Sequence, residues 1–239
     1  LGIAVGDRVG TFSWNNLAHM EAYLAIPSMG AVMHTINIRL APEQIAYVIN
    51  HAGDRAVVLD ASLRDVFAPV VPMLETVEHI LMVGQAPELP GIHCIDYEQL
   101  LAAQSAGFEW PLLDETSAAA VCYTSGTTGN PKGVVYSHRT TFIHSLASRA
   151  TDTFGVCERD RILLLPSMFH ANAWGIAFGG PAAGAKLVMP GAKMDGASIY
   201  ELLESRYALQ PERTVFIDDL VLNITAAQAQ GWHGLQFES

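Results

Sequence analysis

Short apolar runs rich in β-branched residues alternate along the chain with longer amphipathic segments. The apolar runs predict strands, which cover Arg8–Ser13, Val32–Ile36, Ala56–Leu59, His79–Val83, Ala118–Tyr123, Val134–Tyr136, Arg161–Leu164, Lys186–Met189 and Thr214–Ile217. The segments between them predict helices at Asn16–Met29, Pro42–His51, Ser62–Leu74, Tyr97–Ser105, His138–Thr153, Ser198–Tyr207 and Leu220–Gln230. Near-continuous apolar strands are typical of parallel sheets covered on both faces. The pattern therefore indicates an α/β fold with mostly parallel sheets flanked by helices, ending in a short β-α-β tail.

One uncharged stretch, Ile162–Ala185, is long enough to cross a membrane. Pro166, Pro181 and the pair Gly179-Gly180 interrupt its helical and apolar character, so we expect strand, loop and helix there and no transmembrane segment. Half of the 239 residues are hydrophobic and 15% are charged. That composition supplies a sizeable core, in one large domain or two small ones.

The net charge limits which binding partners we expect, and the cysteine content indicates the cellular compartment. The net charge of −11 and the pI near 5.1 argue against nucleic acid or anionic membrane as a partner. Cys94, Cys122 and Cys157 are odd in number and far apart, which favours neither a disulfide framework nor a zinc knuckle. We expect a cytoplasmic protein in which Cys122 is a small core residue. The chain starts at Leu1 without methionine or a signal-peptide pattern, which leaves open an incomplete N-terminus.

The segment Thr124–Gly133 carries the strongest chemical pattern in the chain. Four hydroxyl residues, glycines and a lysine follow a predicted strand, a composition suited to holding a phosphate chain. The Walker A spacing and the dinucleotide pattern G-x-G-x-x-G are both absent. A bland Gly/Ser/Thr turn is the alternative, although the Pro-Lys-Gly ending is unusual for one.

Several segments carry a resemblance to a known family. The run Tyr123-Thr-Ser-Gly-Thr-Thr-Gly-Asn-Pro-Lys-Gly-Val134 resembles the signature loop of the adenylate-forming superfamily. Pro166-Ser-Met-Phe-His-Ala-Asn-Ala-Trp-Gly175 is similar to its next motif, and Asn37–His51 to an upstream segment. The opening Gly6-Asp-Arg-Val9 with Trp14-Asn-Asn16 looks like medium- or long-chain fatty acid–CoA ligases (acyl-CoA synthetases) in particular.

This resemblance implies a two-step reaction with ATP, Mg²⁺ and CoA. A fatty acid carboxylate attacks the α-phosphate of ATP, and the thiol of CoA then displaces AMP from the acyl-adenylate. By the same resemblance Lys132 and His170 are catalytic, and the substrate pocket is formed by His170, Asn172 and Trp174. The implied cofactor-binding residues are Thr124, Ser125, Gly126, Thr127, Thr128, Gly129 and Lys132.

The family pattern stops before the end of the chain. A Tyr-Gly-x-Thr-Glu segment, a ribose-binding aspartate, a hinge and a C-terminal lysine are not found. We therefore expect residues 1–195 to be a partial AMP-binding domain with impaired turnover or none, as in a nucleotide-binding remnant or a fusion. Unpartnered sheet edges would also make such a chain unstable or prone to aggregation. No motif fixes the acyl chain length or the oligomeric state.

Residues 196–239 form the second predicted domain. From Ile199 onward the sequence resembles the end of haloacid-dehalogenase-like hydrolases, in which paired aspartates after a strand help to hold Mg²⁺. Asp218 and Asp219 stand at that place. The nucleophile motif Asp-x-Asp of those hydrolases is absent, since Ser62 takes the second position after Asp60. A solvated acidic turn before the next helix is the alternative to a metal site.

Overall fold

A computed structural model describes residues 1–86, 88–124, 130–193, 195–208, 210–213, 215–218 and 221–236. The chain divides into two compact units, Leu1–Met189 and Pro190–Ser239. The first unit is built around a seven-stranded sheet in the order β5-β4-β3-β1-β2-β6-β7. Its strands are β1 (Arg8–Phe12), β2 (Val32–Thr35), β3 (Asp54–Asp60), β4 (His79–Val83), β5 (His93–Asp96), β6 (Ala118–Thr124) and β7 (Lys132–Ser137).

All neighbouring strands in this sheet are parallel except β6 and β7, which form an antiparallel hairpin. Helices connect the strands: α1 (Leu17–Ser28), α2 (Pro42–Ala52), α3 (Arg64–Phe67), α4 (Tyr97–Ala102) and α5 (His138–Ala147). Because successive side chains of a strand point to opposite faces, β3 contributes to two cores. Val58 packs with Tyr23 of α1 in one core, and Val57 packs with Ile45 of α2 in the other. The predicted α/β architecture is confirmed.

Local chemistry explains where two of these helices begin and end. Pro42 opens α2 at its first turn, and Gly53 ends it with a left-handed φ of 71°. Ser137 caps α5 through a reciprocal pair of hydrogen bonds with Thr140. The helix therefore begins at His138, as predicted.

In the first unit, two predicted helices differ from the structure, and one strand was missed. The helix expected over Ser62–Leu74 is broken into 3-10 turns at Ala61–Leu63 and Ala68–Met73 around α3, because Pro69 and Pro72 cannot donate a backbone hydrogen bond. The helix expected over His138–Thr153 ends at Ala147. Strand β5 was not predicted.

The uncharged stretch Ile162–Ala185 contains a strand, a loop and a helix, as predicted. Strand β8 (Arg161–Leu163) pairs in parallel with β9 (Lys186–Val188), and α6 (Ala171–Trp174) and α7 (Ile176–Ala182) lie between them. Within the part of the chain that the structure describes, no helix combines the length and apolar character needed to cross a bilayer.

The second unit is a small β-α-β arrangement preceded by a helix. Helix α8 (Gly196–Tyr207) is followed by β10 (Val215–Asp218), α9 (Val221–Ala229) and β11 (His233–Gln236), and the two strands pair in parallel. Its core packs Tyr200 of α8 against Ala227 and Trp232. The predicted short β-α-β tail is confirmed, although β11 was not among the strands predicted.

Candidate functional site

The β6–β7 hairpin places the predicted phosphate loop at the carboxyl edge of the sheet. Thr124 closes the hairpin opposite Lys132, and its hydroxyl donates to the Lys132 carbonyl over 3.5 Å. Both residues are exposed. Because β6 runs parallel to β2, the loop emerges at the edge where ligands bind in open α/β sheets. The other predicted loop residues, Ser125, Gly126, Thr127, Thr128 and Gly129, lie outside the described residues.

Segment α6 is a left-handed turn. Ala171, Asn172, Ala173 and Trp174 have φ angles of 44°, 50°, 50° and 55°, and Gly175 follows with 74°. Left-handed backbone costs a non-glycine residue about 1–2 kcal/mol. A run of four such residues persists only where surrounding contacts over-determine it, and such strain concentrates at functional sites.

Asn172 supplies contacts that hold this turn. Its side-chain oxygen accepts hydrogen bonds from the Tyr23 hydroxyl at 3.2 Å and from the Cys122 thiol at 3.1 Å, and all three side chains are buried. Burial raises the pKa of the Cys122 thiol, so the group stays protonated and able to donate. Because Cys122 belongs to β6, the turn is fastened to the strand that leads into the phosphate loop.

An apolar cavity of about 450 Å³ opens beside the turn. Its walls come from β7, α5 and the segment after it, the turn itself and α7. They consist of Tyr136, Thr140, Thr141, His144, Ser145, Phe154, Ala171, Asn172, Trp174, Gly175 and Phe178. Gly175 is required there, since a Cβ at this position would lie 2.4 Å from Nδ1 of His144. A largely apolar cavity of this size can accept an aliphatic or aromatic group.

A second cleft, of about 380 Å³, shares Trp174 with this cavity as a lining residue. His170 is exposed at this cleft, together with Arg39, whose guanidinium carbon lies 6.0 Å from the centroid of the Phe169 ring. Trp174 is 59% exposed. The structure thus brings His170, Asn172 and Trp174 together in one turn.

The sequence did not indicate Arg39, Tyr136 or His144 as lining residues. Arg39 falls in a segment singled out for its resemblance, yet nothing in that segment marks it as a cleft residue. Tyr136 and His144 reach the cavity only because β7 and α5 pack beside the turn. The spacing of residues along the sequence does not predict that contact.

One of the two predicted metal residues lies at the end of β10. Asp218 is the last residue of that strand, and Asp219 lies outside the described residues. Among the residues that the structure describes, no group of three His, Cys, Asp or Glu side chains could hold a metal ion. The role of the two aspartates stays a prediction.

Comparison with known proteins establishes the class. Residues 1–208 match the AMP-binding enzyme family, and the chain therefore belongs to this family. It is similar to acyl-CoA ligases within it: it is 44% identical over 210 residues to the medium-chain-fatty-acid–CoA ligase of Ectopseudomonas oleovorans, covering 86% of this chain and 38% of the relative. It is 42% identical over 210 residues to the 3-methylmercaptopropionyl-CoA ligase of Ruegeria lacuscaerulensis, covering 86% and 39%.

Solved structures share the fold. A long-chain-fatty-acid-CoA ligase from Archaeoglobus fulgidus superposes with a TM-score of 0.76 at 21% identity, over 96% of this chain and 43% of that one. ATP-bound MatB from Rhodopseudomonas palustris gives 0.68 at 26% identity, over 95% and 41%. The chain thus spans about two fifths of the length of the curated relatives it matches. The family match extends to residue 208, past the predicted domain boundary at 195/196, which stays a prediction.

Proposed function

We propose that this chain carries the pyrophosphate-binding and acyl-binding part of a fatty acid–CoA ligase. In that activity ATP activates a fatty acid carboxylate as an acyl-adenylate, and CoA then takes the acyl group as a thioester. One observation carries the proposal: the hairpin that delivers the phosphate loop also walls the apolar cavity. Tyr136 of β7 lines the cavity, and Cys122 of β6 binds the turn that forms its rim.

The proposed roles follow from charge and position. Lys132, with the hydroxyls of Thr124, Ser125, Thr127 and Thr128, would neutralise the phosphates as the carboxylate oxygen attacks the α-phosphorus and pyrophosphate leaves.

On the acyl side, His170 and Arg39 lie exposed at the cleft beside the apolar cavity, where the carboxylate end of an acyl chain would arrive. Trp174 would separate that charged end from the chain. Asn172 would hold the rim in its left-handed form. Each role is a proposal from position and chemistry.

We propose that Mg²⁺ binds together with ATP. Mg²⁺ usually keeps several waters and binds through substrate phosphates with one or two carboxylates. When bound, it would supply positive charge on the phosphates. The relatives extend well beyond the matched part. We expect this chain to bind ATP.

The test is protection by ATP against thermal unfolding, followed by carboxylate-dependent exchange of labelled pyrophosphate into ATP over fatty acids of several lengths. Lys132→Ala should weaken ATP binding about 10- to 100-fold, because it removes a charged phosphate contact. The matched control is Lys186→Ala, since Lys186 is also exposed but lies on β9. Absence of ATP protection in the unmodified chain would contradict the proposal, as would an equal loss in the control.

The tail is a separate proposal. We infer that residues 199–239 derive from a haloacid-dehalogenase-like hydrolase and have lost its chemistry. Asp218 ends β10 of a parallel strand pair, which supports this ancestry, whereas the nucleophile motif is missing. Mg²⁺-dependent phosphatase turnover that disappears in Asp218→Asn would show that the chemistry had survived.

A further inference from the structure

Tyr123 joins three elements and directly precedes the phosphate loop in the sequence. Its hydroxyl lies 2.7 Å from Nδ1 of His51, at the end of α2. Its ring centroid lies 5.0 Å from that of His34 on β2. On β7 it faces Gly133, where a Cβ would come within 3.2 Å of the Tyr123 ring. The next residue along β6 is Thr124, the first residue of the loop.

The histidine that contacts the Tyr123 ring belongs to a buried polar pair, His34 and Asp54. Nδ1 of His34 lies 2.7 Å from a carboxylate oxygen of Asp54, and both side chains are fully buried. These residues belong to β2 and β3, which are separated by β1. They meet over Gly10 of β1, where a Cβ would lie 2.9 Å from the Asp54 oxygen. The sequence therefore keeps a glycine in a central strand so that two flanking strands can join across it.

Burying this pair lowers the stability of the folded chain. The second nitrogen of His34 and the second oxygen of Asp54 are buried and have no hydrogen-bond partner among the described residues. An unsatisfied buried polar atom costs about 1–3 kcal/mol. Apolar residues would pack this part of the sheet at lower cost, so the pair points to a role beyond stabilising the core.

We propose that Tyr123 is a positioning residue for the phosphate loop. The His51 hydrogen bond and the His34–Asp54 pair fix its ring, and the ring fixes the base of the hairpin from which Thr124 and Lys132 face the ligand. This inference rests on the proposed function only in taking the ligand to be the phosphate chain of ATP. Burial raises the pKa of Tyr123 to about 12, so the hydroxyl keeps its proton and can donate to His51.

The experiment compares Tyr123→Phe with Tyr97→Phe. Both changes remove one phenolic hydroxyl and its hydrogen bond, but Tyr97 lies on α4, where its hydroxyl donates to a carboxylate oxygen of Glu21 over 2.9 Å. We expect Tyr123→Phe to weaken ATP binding about 5- to 10-fold, the loss of one hydrogen bond, with the melting temperature nearly unchanged. Without nucleotide, amide hydrogen exchange at residues 132–134 should rise several-fold, while exchange in β1 and β3 stays constant.

His51→Ala is the second variant, chosen because His51 is exposed and its loss leaves the core intact. It should reproduce the effect of Tyr123→Phe, and the double variant should show no further loss. His51→Gln keeps an acceptor for the hydroxyl and should restore protection at residues 132–134. Unchanged exchange at those residues in Tyr123→Phe would overturn the proposal. A uniform rise across the sheet would also overturn it, because that result indicates a merely structural residue.

Exchange is measured without ATP, so its result does not depend on the proposed function. If the unmodified chain fails to bind ATP, the ligase proposal fails, and the exchange data still decide whether Tyr123 positions the hairpin. If ATP binds normally to both Tyr123→Phe and His51→Ala, the ligase proposal survives and the positioning role is lost.

Discussion

His19 shows how the fold fixes the charge of one residue. Its ring is fully buried, and its nitrogens lie 3.0 Å from the Trp14 carbonyl and 2.9 Å from the Thr11 hydroxyl. Burial lowers the pKa of His19 from 6.5 to about 4, although the hydrogen bond to Trp14 opposes this shift. The imidazole is therefore neutral at physiological pH and joins β1 to the start of α1.

Acid should destabilise the protein through this residue. Between pH 6.5 and about 4 the unfolded chain binds a proton at His19 and the folded chain does not, so stability falls as the pH falls through that window. The loss from His19 should be on the order of 3 kcal/mol. The free energy of unfolding, measured with urea at several pH values, should depend less steeply on pH in His19→Gln than in the unmodified chain. The exposed control His93→Gln should retain the original slope, and equal slopes in all three proteins would refute the assignment.

At the scale of the element, the left-handed turn is where local sequence and structure disagree most. Ala171 has a φ of 44° and is exposed, so Ala171→Gly should relieve strain without losing packing, stabilising the chain by about 1 kcal/mol. The matched change Ala25→Gly, at an exposed position inside α1, should destabilise it by about 1 kcal/mol. Thermal unfolding should show a higher melting temperature for Ala171→Gly and a lower one for Ala25→Gly. A lower melting temperature in both variants would rule out strain at Ala171.

The sequence predicted elements wherever local chemistry decides the conformation. The β-branched run of β3 and the proline that opens α2 are examples. It could not predict β5, a short segment with histidine and aspartate at its ends, because that strand exists through pairing with β4. Nor could it predict the turn at Ala171–Trp174, where the local residues permit an ordinary helix. Buried contacts far away in the chain decide that conformation.

At the scale of the whole molecule, the sheet ends in an exposed apolar edge. β7 is last in the strand order, and its Val134 and Val135 are 41% and 62% exposed. Three large side chains of α5 are exposed as well, namely Phe142, Ile143 and Leu146. An unprotected edge strand with apolar side chains is a template for association with another chain.

Val135→Lys should therefore reduce self-association, because a charge on an edge strand opposes strand pairing. Light scattering during concentration should decrease severalfold relative to the unmodified chain. Val66→Lys, an equal change at an exposed position on α3, should leave association unchanged. An equal decrease in both variants would point to net charge rather than to the edge.

The candidate site was predictable in part. The residue types of the loop indicated a phosphate site, whereas the Pro166–Gly175 motif indicated an acyl site only through its resemblance to the adenylate-forming superfamily. The cavity was not predictable, because its walls come from β7, α5, α7 and the turn, which only the packed fold brings together.

The position of β6 in the sheet has a consequence for the order of assembly on the ribosome. Strands β1 to β5 are complete once residue 96 has been made, and each can pair with neighbours already synthesised. β6 then has to return to β2, so that Met33 meets Ala120 across a long stretch of intervening chain. Such distant pairing is slow relative to local pairing. The nascent chain thus acquires a stable platform first, and the hairpin that carries the loop arrives afterwards.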